Sequence, residues 1–393
     1  MVLGFLLACL SGCAATVTGA GVDASSADAA TAVDATADAA LPTDLSSLDG
    51  STVDRAPVRC LAPADGPLRT PPAGPDAVID VAEDTTFGCV LRGDGRIRCR
   101  GQGLLRGVFA DGANGSAGML RSVTLPIDDV RSFDMSLHLG CAVRGDGTLW
   151  CWGDNTSGGV HPELPREMLT PTRVPGIVGA RRVSIALSLP RTCVLLNGGG
   201  VVCWGGAAAT PVALVDRGAT DIAVANSHQC ARFDDASARC AVALPSPASE
   251  LAIPAGGAET IAASTFAVCA IDRSRAVTCW GARYPITDIT AGPFDEGVRC
   301  ATSLAPGFFH LCASTTDGAV TCWGSNSFGQ LGSPRTDTAP RPVPGIDRVV
   351  RVLRGMVSTC ALRDDGSLWC WGDGYLASDR SSQSNTLPHP IDW

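Results

Sequence analysis

Seven pairs of cysteines, each ten positions apart, constrain this chain more than any other feature. They are Cys89/Cys99, Cys141/Cys151, Cys193/Cys203, Cys230/Cys240, Cys269/Cys279, Cys312/Cys322 and Cys360/Cys370. Successive pairs start 52, 52, 37, 39, 43 and 48 residues apart, and a period of roughly 45 residues is that of a propeller blade. Cys141 to Trp152, CAVRGDGTLWCW, is a clear copy. It reads as two short strands around a Gly-Asp-Gly bend, where Asp bonds its neighbouring backbone and Gly accepts positive φ. Folding back around that bend sets the two cysteines opposite each other, ~4.5 Å apart at Cα, just inside disulfide range. An apolar segment such as Val183-Ser184-Ile185-Ala186 or Ile222-Ala223-Val224 precedes each hairpin and supplies another strand.

Two readings of the paired cysteines compete. A buried free thiol is a small hydrophobe and needs no partner. In an oxidising compartment the same pairs are disulfides. A zinc site is a poor fit, because its ligand pairs stand ~2–4 residues apart. The N-terminus favours export. Residues 2–10 form a short apolar run followed by Leu10-Ser11-Gly12-Cys13, which resembles a bacterial lipobox with Cys13 as the lipid-bearing first mature residue. The run lacks the Lys or Arg that usually precedes it. Export would make all fourteen paired cysteines disulfides.

Residues 14–76 carry nine Asp and three Arg and no aromatic residue. Such a segment buries too little apolar area to offset its conformational entropy. The expected organisation is a signal peptide at 1–12, a lipid-anchored disordered linker at 13–76 and a folded ring at 77–393. Cys60 lies in the linker, and Cys300 has no partner ten residues away; pairing them would pin the linker to the ring.

The segment Cys322-Trp323-Gly324-Ser325-Asn326-Ser327-Phe328-Gly329-Gln330-Leu331-Gly332 resembles the repeat of the regulator of chromosome condensation family. Trp152-Gly153-Asp154-Asn155 and Trp371-Gly372-Asp373-Gly374 match in part, Arg100 replaces the Trp of the first copy, and the fourth copy lacks Trp-Gly. The resemblance implies an all-β, seven-bladed β-propeller, in agreement with the count of seven hairpins. Thr386-Leu387-Pro388 repeats Thr124-Leu125-Pro126, so the C-terminal segment is expected to pack into the first blade and close the ring.

No catalytic constellation stands out. All 30 positive residues are Arg, so Schiff-base and P-loop lysines are impossible. His138, His228 and His310 recur just before the first cysteine of three hairpins and read as packing groups rather than metal ligands. Asp128/Asp129, Asp234/Asp235 and Asp364/Asp365 read as turn residues rather than acid/base pairs. Trp152, Trp204, Trp280, Trp323 and Trp371 recur once per blade, as packing residues do. Irregular insertions at residues 100–121 and 154–172 are better recognition candidates.

The chain is therefore expected to be a non-catalytic, cell-envelope lipoprotein whose propeller binds a protein or a polysaccharide. It should act as a monomer without cofactor, metal or nucleic acid, meeting the membrane through its lipid alone. The alternative is a secreted inhibitor of the β-lactamase-inhibitor type. With only Tyr284 and Tyr375, the aromatic face such an inhibitor needs is thin. An enzyme with an unrecognised site ranks third.

Overall fold

The computed structural model describes residues 59–392, apart from residues 85, 103–109, 111–119, 137–138, 157, 188–190, 206–207, 227, 242–248, 251–256, 266, 282–292, 336–337, 375 and 378–384. The expected signal peptide, Cys13 and the acidic segment up to residue 58 lie outside the described residues.

The chain forms seven four-stranded antiparallel sheets, each with its strands in sequence order. Blade 1 holds β1 (Val78–Glu83), β2 (Phe87–Arg92), β3 (Ile97–Gln102) and β4 (Leu120–Thr124). Blade 2 holds β5 (Val130–Met135), β6 (Leu139–Arg144), β7 (Leu149–Asp154) and β8 (Glu167–Arg173). Blade 3 follows with β9 (Ala180–Ile185), β10 (Arg191–Leu196), β11 (Val201–Gly205) and β12 (Ala208–Val215). Blade 4 comprises β13 (Ala219–Val224), β14 (Gln229–Phe233), β15 (Ala238–Ala241) and β16 (Ser249–Glu250). In blade 5 are β17 (Thr260–Ala263), β18 (Ala267–Ile271), β19 (Val277–Gly281) and β20 (Phe294–Asp295). Blade 6 has β21 (Ala301–Pro306), β22 (His310–Thr315), β23 (Val320–Gly324) and β24 (Arg341–Pro342). Blade 7 ends the chain with β25 (Val349–Arg354), β26 (Ser358–Arg363), β27 (Leu368–Gly372) and β28 (Asn385–Pro390). The fold is the all-β, seven-bladed propeller expected from the hairpin count.

One disulfide closes the central hairpin of each blade. In order around the ring they are Cys89–Cys99, Cys141–Cys151, Cys193–Cys203, Cys230–Cys240, Cys269–Cys279, Cys312–Cys322 and Cys360–Cys370. The partners sit directly opposed on the second and third strands. Their Cα atoms are 4.0–4.1 Å apart, a little closer than the ~4.5 Å of an ordinary opposed pair and just below the usual ~4.4–6.8 Å of bridged cysteines. The alternative of buried free thiols is thereby set aside for all fourteen positions, including Cys230 and Cys240 of the blade that lacks Trp-Gly.

In blade 2 the bend is built as its residues dictate. Asp146 Oδ1 accepts from the backbone N–H of Thr148 at 2.9 Å and from its hydroxyl at 2.6 Å, while Gly147 takes φ 76°. The Gly147 carbonyl then accepts the N–H of Ala180, where blade 3 begins, at 2.9 Å. The bend thus also glues neighbouring blades.

The apolar cores lie between blades, not within them. Trp152 of blade 2 packs with Cys89, Cys99 and Ile97 of blade 1, and Trp371 of blade 7 packs with Cys312, Val320 and Leu331 of blade 6. Trp204, Trp280 and Trp323 do the same at three further gaps, meeting the bridges Cys141–Cys151, Cys230–Cys240 and Cys269–Cys279. Where blade 4 has no Trp to offer, Cys193 and Cys203 pack instead with the smaller Ile222, Val224 and Ala231. Gly140 makes room for its indole: a Cβ there would fall 2.4 Å from the Trp152 ring.

The gap between blades 7 and 1 is different, because Arg100 stands where most other blades carry Trp. Leu376 of blade 7 fills the space instead, lying where a Cβ on Gly88 would be 2.4 Å from its Cγ. The C-terminal strand does not join the first blade. β28 pairs with β27 and completes its own blade, because Trp369 and Cys370 offer it an open edge. Only its end reaches across, where the Arg100 guanidinium donates to the Asp392 carbonyl at 2.7 Å.

A second correction concerns the linker. Residues 59–76 form an ordered strap over the hairpin bends of blades 6, 7 and 1. Cys60 is bonded to Cys300, at the start of blade 6. The Thr316 hydroxyl donates to the Leu61 carbonyl at 3.0 Å, and Arg348 pairs with Asp65 at 2.8 Å. The Arg69 N–H donates to Asp364 at 3.0 Å, and the Asp94 N–H donates to the Pro75 carbonyl at 3.0 Å. Poor apolar content did not leave this stretch disordered, because a covalent bond and backbone hydrogen bonds hold it.

Candidate functional site

The residue types singled out in the sequence mostly serve the ring. The hairpin cysteines are all consumed in bridges; Cys203, Cys240 and Cys279, on third strands, are buried and bonded like the rest and offer no thiolate for chemistry or metal. His310 is buried between blades 6 and 7, its Nε2 bonded to the Ser358 carbonyl at 3.1 Å and 3.0 Å from the Thr359 hydroxyl. Burial drives its pKa down to about 4, so it is neutral. His228 lies in blade 4, where burial and then Arg191 depress its pKa. His138 lies outside the described residues. Among the described residues no cluster of three or more His, Cys, Asp or Glu could hold a metal.

The paired carboxylates are turn and tether groups. Asp128 pairs with Arg144 at 2.8 Å and Asp129 with Arg131 at 2.8 Å. Asp235 and Asp365 each accept from the serine two residues on, and Asp364 is held by Arg348. The 154–172 insertion is also structural. Asn155 accepts the Val160 N–H at 2.9 Å and donates to the His161 carbonyl at 2.9 Å, folding the loop so that its Gly159 carbonyl accepts from Trp204 Nε1 at 2.9 Å. Asn326 and Gln330 repeat the arrangement toward Trp371. Most of the 100–121 insertion lies outside the described residues.

What remains is the central cavity, about 510 Å³, lined by the first strands of all seven blades. Polar residues on these strands link neighbouring blades. The Val183 N–H donates to the Ser132 hydroxyl at 3.3 Å, and the Val352 N–H donates to Ser303 at 3.0 Å. Arg182 pairs with Asp221, and Arg351 lies 4.0 Å from Asp80. Near the far end of the cavity Arg354 of blade 7 reaches across to Asp134 of blade 2, and its guanidinium donates to the carbonyls of Met135 at 3.0 Å and Ile185 at 3.1 Å. Burial raises the Asp134 carboxyl above its ordinary value, while Arg354 and the Ile185 and Met135 N–H groups oppose the rise.

Glu83, at the end of β1, is fully enclosed in the seam between blades 7 and 1. Its Oε1 accepts from the Ser358 hydroxyl and its Oε2 from the Leu376 N–H at 3.0 Å. Burial pushes its pKa up to about 8, so it carries a proton at neutral pH and holds the Leu376 plug without a buried charge.

The cavity arginines did not figure among the sequence candidates. Their signal was there: segments such as Ala180-Arg181-Arg182-Val183 and Val349-Val350-Arg351-Val352-Leu353-Arg354 place charges inside strands that are otherwise apolar. Strands lining a wet channel carry that pattern, whereas strands buried on both faces do not.

The regulator of chromosome condensation (RCC1) repeat matches residues 302–330 and 317–362, spanning blade 6 and the start of blade 7. Among solved structures, the chain is similar to human WBSCR16, with TM-score 0.60, 17% identity and coverage of 72% of this chain and 88% of that one. It is similar to yeast RCC1 (Prp20), solved with Kap60, with TM-score 0.60, 14% identity and coverage of 90% and 91%. It also resembles the ectodomain of the Physcomitrella patens receptor kinase CR4, with TM-score 0.51, 19% identity and coverage of 75% and 73%. Comparison with curated protein sequences finds no significant match. Residues 302–362 carry the regulator of chromosome condensation repeat, and the chain folds as a seven-bladed propeller similar to that of yeast RCC1 (Prp20).

Proposed function

We propose that this chain is an exported, non-catalytic scaffold, anchored to a bacterial envelope membrane through a lipid on Cys13, whose propeller binds a protein partner as a monomer. The observation that carries the reading is the set of eight disulfides, seven inside blades and one from Cys60 to Cys300. Such a density belongs to an oxidising compartment, and it yields a rigid frame suited to recognition. Related propellers are consistent with it. Yeast RCC1 (Prp20) binds the protein Kap60, and the moss receptor kinase displays its propeller as an ectodomain.

Affinity capture from envelope extract tests this, with the oxidised full chain as bait and a reduced, alkylated sample as control. A partner recovered saturably by the oxidised chain alone is expected. Recovery of no protein, or of polysaccharide only, would contradict the reading.

A further inference from the structure

We propose that the mouth of the central cavity between blades 2 and 3 is a docking site for a carboxylate-bearing loop of a partner protein, gripped by Arg131 and Arg181. The inference rests on the scaffold reading above and specifies its site.

The first strands of six blades carry an irregularity in register at the same place, one residue after their start. It skips Ile79 in β1, Arg131 in β5, Arg181 in β9 and their equivalents in blades 4, 6 and 7. A bulge of this kind releases a residue from the ladder and re-aims its side chain. Four of the released residues, Ile79, Arg131, Arg181 and Thr302, line the cavity at the end nearer the hairpin bends. In blades 2 and 3 they are both arginines. The Ser132 and Asp134 bonds to the Val183 and Ile185 N–H groups hold β5 and β9 side by side, so the two guanidinium groups share one sector of the rim.

The charge count on the lining is uneven. Five arginines (Arg131, Arg181, Arg182, Arg351, Arg354) face three aspartates (Asp80, Asp134, Asp221). The aspartates are taken up by Arg351, Arg354 and Arg182. Among the described residues Arg131 pairs only with Asp129, which is not part of the cavity lining, and Arg181 has no ion-pair partner. Two exposed arginine forks above a cavity lined by all seven blades suit a carboxylate, which each can bind through two parallel hydrogen bonds. Ile79, on the equivalent bulge of neighbouring blade 1, also lines the cavity, is 42% exposed and offers an apolar surface on the same rim. Among the described residues the strap lies on the bend face over blades 6, 7 and 1 and makes no hydrogen bond or ion pair with the bends of blades 2 and 3. The matching occupant is a protein loop presenting Asp or Glu beside an apolar side chain.

The test uses the oxidised full chain and a fluorescein-labelled cyclic peptide with Glu-Leu-Glu at its tip, followed by anisotropy. The acidic peptide should bind and the Gln-Leu-Gln version should bind on the order of ten-fold more weakly or not at all. The double variant Arg131→Ala/Arg181→Ala should lose a similar factor while melting like the parent. Arg96→Ala/Arg98→Ala, on the outside of blade 1, should bind as the parent does. Equal binding of both peptides, or no loss in the Arg131/Arg181 variant, would overturn the inference. Competition by dextran sulfate but not by unlabelled acidic peptide would overturn it too, in favour of a polysaccharide. If the double variant still captures the envelope partner, the site is wrong but the scaffold reading survives. If the parent captures none, the scaffold reading itself fails.

Discussion

Replacing Cys60 and Cys300 together by Ser should destabilise the ring more than removing any hairpin bridge. The Cys60–Cys300 bond spans a sequence separation of 240, against 10 for Cys141–Cys151. In the chain-entropy description, closing 240 residues costs the unfolded chain about 5.5 kcal/mol at 25 °C, and closing 10 costs about 2.7 kcal/mol. Five hairpin bridges lie inside the long loop and shorten it, which lowers the first figure only to about 5.3 kcal/mol because the dependence on length is logarithmic. The hairpin figure falls further, since Asp146 and Gly147 already bring those strands together. Unfolding entropy for roughly 330 residues is about 0.7 kcal/mol per degree near 60 °C. The strap variant should therefore melt about 8 °C below the parent, and Cys141→Ser/Cys151→Ser at most about 4 °C below. Scanning calorimetry of both variants at matched concentration and scan rate measures this. A strap variant melting with the parent, or above the hairpin variant, would refute the idea that residues 59–76 close the ring.

Other expectations follow from the seam and the cavity. Leu376→Ala should cost about 2–5 kcal/mol in urea unfolding, because it removes the side chain that replaces an indole over Gly88. Glu83 has a folded pKa of about 8 against an ordinary 4.5, so it favours the fold at low pH and loses that stability as pH rises toward 8. His310, at about 4 against 6.5, acts in the opposite sense and loses its contribution as pH falls from 6.5. Between pH 6.5 and 8 stability should therefore fall by up to about 1.4 kcal/mol per unit in the parent. That slope should flatten in Glu83→Gln, as read from denaturation midpoints. The Arg354 and Asp134 side chains are 16% and 13% exposed. Arg354→Met should cost about 3 kcal/mol or more, with Asp134→Asn restoring part of the loss in a double-mutant cycle.

The architecture could be read from the chain because each blade repeats one local solution. The ten-residue cysteine spacing recurs in all seven blades, a Trp after the second cysteine in five and an Asp-Gly bend in four, and all three depend on contacts close in sequence. The cysteine spacing held even in Cys230–Cys240, where the Trp is missing, because the bridge needs only the register of its own hairpin. Ring closure was harder to read. The Cys60–Cys300 bridge could be anticipated because both cysteines fall outside the ten-residue pairs, whereas Leu376 meeting Gly88 joins positions without a repeated pattern. The likeness of Thr386-Leu387-Pro388 to Thr124-Leu125-Pro126 suggested a strand shared with blade 1, yet pairing with β27 in the same blade takes the nearer edge. The candidate site was the least legible. Arg131 and Arg181 fall on bulges whose register is set by pairing with β6 and β10, and composition does not encode where a bulge aims a side chain. How the 154–172 insertion is held was not legible either, since Asn155 folds it back onto Trp204 of the next blade.

The central claim is an exported ring locked by eight disulfides. Peptide mass mapping under non-reducing conditions, on full chain purified from the envelope fraction of a Gram-negative host, tests it most directly. The account predicts the seven ten-residue pairs together with a Cys60–Cys300 linked peptide. Free thiols at the paired positions in that material would contradict it.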